Sequence, residues 1–126
     1  MKIAMTSIPV NDPILAHEIY TKKLGFRSLE FSAENNLAVV VSEQEPNSTA
    51  LLLEPCKGTF YEKFQQSALN ENLPIIIFSV SNVKLELQNL QAKGIKIRTD
   101  LDRLEYGLEN IFEDGCGNLI MLQESK

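Results

Sequence analysis

One histidine in 126 residues is the scarcity that constrains this chain most. His17 falls inside an expected helix, where a lone imidazole reads as a surface or packing group. Tryptophan is absent and aromatics make up 7% of the residues, so a site built on aromatic stacking has little to draw on. The two cysteines, Cys56 and Cys116, form neither a Cys-x-x-Cys pair nor a disulfide framework. Free thiols in a reducing cytoplasm are expected. No run approaches the ~18 apolar residues of a membrane span, and Met1 to Pro9 has no apolar signal-peptide core. Asn47-Ser48-Thr49 fits a glycosylation pattern that matters only after secretion. Basic residues number 12 against 17 acidic ones, a net charge of −5. That balance argues against nucleic acid and is an ordinary margin for solubility.

What is present is an ordinary globular composition, 44% apolar and 23% charged, at the length of one domain or two small modules. Ile3 to Val10 reads as a strand. Asn11 or Asp12 caps a helix that begins at Pro13 and stops at Gly25, with Leu15, Ile19, Tyr20 and Leu24 as its buried stripe. Strands follow at Arg27–Ser32, Leu37–Ser42 and Thr49–Glu54. Phe60 to Leu69 reads as a surface helix. Ile75–Val80 is a fifth strand, and Ser81 or Asn82 caps a helix carrying Val83, Leu87 and Leu90 on one face. Gly94 stops it, and strands are expected at Ile95–Arg98 and Tyr106–Phe112. Asp114 to Asn118 then forms a tight turn into Leu119–Gln123, whose apolar run implies cover on both faces.

The order strand, helix, three strands occurs twice. Each half opens on an apolar strand, a valine (Val10, Val80), two polar capping residues and a helix, which ends at Lys23-Leu24-Gly25 or Ala92-Lys93-Gly94. A repeated βαβββ unit accounts for this pattern, since one such unit cannot cover its own sheet.

With these pieces in order, the chain resembles the vicinal oxygen chelate superfamily, the glyoxalase/bleomycin-resistance/dioxygenase fold. The resemblance rests on Val10-Asn11-Asp12, on Tyr20 to Phe26, on Leu51-Leu52-Leu53-Glu54-Pro55, on Phe78 to Asn82, and on Phe112 to Gln123. The last piece is similar to a Phe-x-Asp-Pro-x-Gly-Asn signature, with Gly115 in place of the proline. The resemblance implies an α+β fold: two βαβββ modules, about 1–55 and 74–124, joined by a helix at about 57–72 in a single domain of 1–126. Their curled sheets would form an eight-stranded mixed-sheet cup. It also implies a homodimer.

In metal-dependent members four His, Gln or Glu side chains point into that cup and hold a divalent ion. The matching positions here are Met5, Leu51, Ile75 and Met121, with Leu51 the one whose register is free to slip by a residue. None offers nitrogen or oxygen, and a thioether suits Cu(I) better than the metals this chemistry uses. No metal and no cofactor are therefore expected. Strand alternation adds Ser7, Pro9, Thr49, Leu53, Ile77, Ser79, Leu119 and Gln123 to the lining. Such a lining suits a small, mostly apolar molecule held by a few hydrogen bonds, or is simply filled by its own side chains. No catalytic residue is assigned. Glu54 is expected to turn away from Leu53 into solvent. Cys116 sits in a glycine-rich turn that favours a thiolate, but with no histidine near it in sequence. Tyr106 and Phe60-Tyr61 are candidates for the cup's mouth.

The expected function is metal-free binding of a small molecule. The alternative is a lyase, isomerase or dioxygenase of the superfamily with a non-standard metal site. Elemental analysis of the purified protein separates them. We expect no Ni, Zn, Mn or Fe near one equivalent, whereas stoichiometric metal lost on mutating Met5 or Met121 would support the enzyme.

Overall fold

The computed structural model describes residues 1–103, 105 and 107–125. The expected strand at 106–112 and the candidate mouth residue Tyr106 therefore lie partly or wholly outside the described residues. The chain divides into two compact units, Met1–Lys63 and Phe64–Lys126, with the boundary inside a helix.

The first unit holds β1 (Met5–Val10), α1 (Pro13–Lys22), β2 (Arg27–Ser32), β3 (Leu37–Val41) and β4 (Ala50–Pro55). Its sheet has the order β1-β4-β3-β2, so β1 and β4 are parallel neighbours although they lie 40 residues apart in sequence order. Asp12 caps α1, its Oδ1 accepting from the Ile14 N–H at 3.0 Å, and Pro13 occupies the first turn, where no N–H is needed. The buried residues of α1 are Pro13, Ala16 and Tyr20; of the expected stripe Tyr20 is buried, Ile19 and Leu24 are half-buried, and Leu15 is exposed. The helix is apolar on more than one side, and the small Ala16 is what allows its backbone close to β3 and β4.

The second unit holds β5 (Ile76–Val80), α3 (Val83–Ala92), β6 (Ile111–Glu113) and β7 (Leu119–Glu124), after α2 (Phe60–Asn70), which crosses the boundary. The order is β5-β7-β6, with β5 and β7 again parallel. Asn82 caps α3, accepting from the Leu85 N–H at 3.0 Å.

The expected eight strands are seven among the described residues, in sheets of four and three. The strand expected at Ile95–Arg98 is reduced to a bridge between Ile97 and Phe112. Two bonds flank it, from the Arg98 N–H to Ile111 O (2.7 Å) and from the Glu113 N–H to Lys96 O (2.9 Å). It cannot lengthen, because Gly94 turns the chain before it and a 3-10 turn at Thr99–Leu101 follows it. Arg98 forks onto Asp100 with two bonds of 2.9 Å and reaches Glu113 at 3.2 Å, which holds that turn in place. The segment still lies beside β6, so the second sheet follows the same spatial order as the first.

The β6–β7 hairpin is organised by a buried carboxylate. Asp114 is fully buried, and its Oδ1 accepts from the N–H groups of Cys116 (2.7 Å) and Asn118 (3.1 Å). Its Oδ2 accepts from Asn118 Nδ2 at 2.9 Å. Gln65 of α2 donates from Nε2 to Cys116 O (3.0 Å) and Asn118 Oδ1 (3.2 Å). Gly117 has φ +99°, and a Cβ there would come within 2.6 Å of Gln65 Nε2, so any other residue would strain the backbone and push the glutamine amide aside. Removing the carboxylate leaves three buried donors without their acceptor. We expect Asp114→Ala to lower stability by about 2–4 kcal/mol in urea unfolding, and a loss below about 1 kcal/mol would show that the turn holds itself.

Candidate functional site

In a parallel pair, registered residues point to the same face of the sheet. In the second unit Ile77 registers with Met121 and Ser79 with Gln123. Ile75 precedes β5, and its N–H donates to Leu119 O at 3.0 Å, so it continues the same register. Ile75, Ile77, Ser79, Met121 and Gln123 therefore share the face turned away from α3. Across β7, Ile111 registers with Met121 and Glu113 with Leu119. Leu101, Ile111 and Leu119 form a buried cluster against which Leu108 and Met121 pack, closing one part of this face. Ile77, at 53% exposed, Ser79 and Gln123 remain accessible. A hollow of about 650 Å³ lies on the α3 side at the end of β7, lined by Val83, Lys84 and Leu87 of α3, by Glu109 and Asn110, and by Met121, Leu122, Gln123 and Glu124; Ile77 and Ser79 are not part of its lining.

The first unit differs from expectation by one residue. β1 and β4 register Met5 with Ala50, Ser7 with Leu52, Ile8 with Leu53 and Pro9 with Glu54. Met5 and Ser7 therefore share a face with Ala50, Leu52 and Glu54. Leu51 and Leu53 are on the opposite face with Ile8 and Val10, buried beneath α1. Both are removed from the candidate lining, and Leu52 replaces Leu51. Thr49 precedes β4, and its hydroxyl donates to Ile3 O at 2.9 Å, so it fastens the strand's entrance. The repeat gives the same answer: Met121 lies two residues beyond the partner of Ile75, and Leu52 lies two beyond the partner of Met5.

Three consecutive leucines carry no alternation signal, which is why the register was not legible from them. Glu54 does carry one. A carboxylate set under α1 would lose several kcal/mol of solvation with no partner, so the residues two by two from Glu54, namely Leu52 and Ala50, must face away from the helix. The expectation that Glu54 points away from the lining is corrected with the same step: Leu53, not Glu54, is turned away.

The superfamily's metal does not fit these side chains. The first unit supplies Met5 and Leu52 at the corresponding positions, and the second supplies Ile75 and Met121. These are two thioethers and two hydrocarbons where imidazole or carboxylate is required. Among the described residues no three His, Cys, Asp or Glu side chains are grouped to hold an ion.

The remaining candidates have structural roles. Tyr61 donates its hydroxyl to Ser7 O at 3.1 Å, and its ring stacks with that of Phe60. Cys116 is buried, its thiol 3.6 Å from Asp114 O, so it is not presented as a nucleophile. Cys56 is buried as well; burial, reinforced by the Glu62 charge, pushes its thiol up, away from the thiolate. Neither cysteine forms a disulfide. No helix among the described residues is long and apolar enough to cross a membrane.

His17 lies on α1, as expected, and away from the lining. It stacks on Phe31 with centroids 4.2 Å apart, and its Nε2 lies 2.8 Å from Ser28 Oγ. Partial burial holds its pKa below the ordinary 6.5. The unfolded chain then binds the proton more readily, so stability is lost as pH falls through 6.5 toward the folded value and is regained above it. The wild type is expected to lose more stability than His17→Gln between about pH 7 and pH 5. Equal losses in denaturant titrations at the two pH values would show that the ring is as solvated folded as unfolded.

Comparison with known proteins agrees with the geometry. The family described as the Glyoxalase/Bleomycin resistance protein/Dioxygenase superfamily matches residues 2–122. The uncharacterised protein YurT of Bacillus subtilis (strain 168) is 35% identical over 124 residues, covering 97% of this chain and 98% of its own. Among solved structures, TnmS3, an antibiotic binding protein from Streptomyces sp. CB03234, superposes with a TM-score of 0.70 at 19% identity, covering 100% of this chain and 97% of its own. The trypanothione-dependent glyoxalase I of Leishmania major gives 0.62 at 18% identity, covering 98% and 86%.

Proposed function

The chain belongs to the Glyoxalase/Bleomycin resistance protein/Dioxygenase superfamily, and from that premise we propose that it is a binding protein without the superfamily's metal centre. It takes up a small, mostly apolar molecule against the sheet faces turned away from α1 and α3. The observation that carries this reading is the register of β5 with β7. It lines up Ile77 with Met121 and Ser79 with Gln123, an apolar pair followed by a polar one, on a face where Ile77, Ser79 and Gln123 are exposed. Apolar walls supply the binding energy, and a hydroxyl and an amide orient the ligand. Met5, Ser7 and Leu52 give the first unit a face of similar character. TnmS3 shares this fold and is named an antibiotic binding protein, so the fold accommodates that role. Two buried cysteines that form no disulfide suit a cytoplasmic protein, a net charge of −5 makes nucleic acid an unsuitable partner, and the family resemblance favours a homodimer.

A thermal-shift screen with small hydrophobic compounds tests the reading. Binders should raise the melting temperature of the metal-free protein in proportion to ligand concentration. Ile77→Asp and Met121→Glu should each weaken binding about tenfold or more, because each buries an unpaired charge against the ligand. Full binding by both variants would place the ligand elsewhere.

A further inference from the structure

The register that removes Leu51 and Leu53 from the Met5 face brings Glu54 onto it. Its partner on β1 is Pro9. On the other side, β3 pairs with β4 through Val39 and Leu52 and through Val40 and Leu51, and the same antiparallel register puts Leu37 level with Glu54. Along β4, Leu52 is the preceding residue on this face. The carboxylate thus stands on an interior strand with Pro9, Leu37 and Leu52 around it, and none of these side chains donates a hydrogen bond. Arg27 shares the face through its pairing with Val41. It lies four residues along from Leu37, about 13 Å at the strand rise of ~3.3 Å per residue, too far to pair with Glu54.

Glu54 is half-buried and makes no hydrogen bond or ion pair among the described residues. The other strand carboxylates are in different positions. Glu113 has Arg98, Glu124 accepts from the Val83 N–H at 3.1 Å, and Glu30 is exposed. Among the described residues no buried side-chain oxygen lacks a partner, so the Glu54 carboxylate, which has none, stays open to water. A cationic group of a ligand lying on Met5, Ser7 and Leu52 would be within its reach and would meet it as a charge-assisted partner.

We propose that Glu54 is a specificity-determining residue of the first unit's sheet face, selecting small apolar molecules that carry a protonated amine. The apolar body rests on Met5 and Leu52, and the ammonium donates to the Glu54 carboxylate as a charge-assisted hydrogen bond. The net charge of −5 favours the approach of such a cation. This inference rests on the reading that the face binds small molecules at all.

The test compares naphthylmethylammonium with naphthylmethanol, which differ in the charged donor, by calorimetric titration of the full chain. The wild type should bind the ammonium about tenfold more tightly, and the preference should shrink in about 1 M NaCl. Glu54→Gln, nearly isosteric, should abolish the preference and leave the affinity for the alcohol unchanged. Equal binding of the two compounds by the wild type, or a preference that survives Glu54→Gln, overturns the role of Glu54 and leaves the binding reading intact. The wild-type comparison and its salt dependence decide the matter even if the variant is unstable. Failure of both compounds to bind overturns both.

Discussion

The structure depends on a parallel pairing made twice, β1 with β4 and β5 with β7. Each pair joins the first strand of a unit to its last, so it closes the unit and sets the register of everything between. Because side chains alternate, the register decides which residues lie under the helix and which face away from it. In the first unit Ile8, Val10, Leu51 and Leu53 go under α1, each contributing roughly 1.5–3 kcal/mol of apolar burial. A slip of one residue would exchange leucine for leucine at little cost but would place Glu54 beneath the helix. The carboxylate therefore acts as the register pin of a strand that is otherwise degenerate, and the same constraint leaves it facing the candidate lining.

The second unit reaches an equivalent arrangement by a different device. Its last strand is short of antiparallel support, since β6 spans only Ile111–Glu113. The hairpin turn compensates: Asp114 gathers the amides of Cys116 and Asn118, and Gln65 ties the turn to α2. Charge-assisted bonds in a buried site are directional, so this small polar cluster sets where β7 begins. The start of β7 in turn determines that Met121 stands beside Ile77 and Ile111. The positions that the family resemblance assigns to metal donors, read with the observed register, are Met5, Leu52, Ile75 and Met121. These side chains favour apolar contact, and polarity enters beside them and farther along the strands, at Ser7, Glu54, Ser79 and Gln123.

Much of this was written locally. The caps at Asp12 and Asn82, the glycine stops, the alternation of Ile75 to Val80 and the Asp-Gly and Gly-Asn turn each act within a few residues. They announce strand, helix and turn wherever the rest of the chain goes. The repeat was legible for the same reason, and with it the family. That no imidazole stands on a strand followed from counting, because the one histidine lies on a helix. For the second unit's face, period-two alternation in β5 and β7 was enough to group Ile75, Ile77, Ser79, Met121 and Gln123.

What only the tertiary structure decided is pairing. Leu51-Leu52-Leu53 reads identically in either phase, and the choice was made by β1 lying beside β4, some 40 residues away in the chain. The α1 stripe was settled in the same way: Leu15 is apolar enough to be buried, but Ala16 is small enough to let the helix approach the sheet. The strand expected at Ile95–Arg98 had the residues for a sheet and was cut short by a turn that Arg98 itself anchors. Propensity and pattern are properties of neighbouring residues and can be read along the chain. Register, helix approach and the side of the sheet on which a glutamate ends are properties of pairs distant in sequence, and they exist only once those pairs have met.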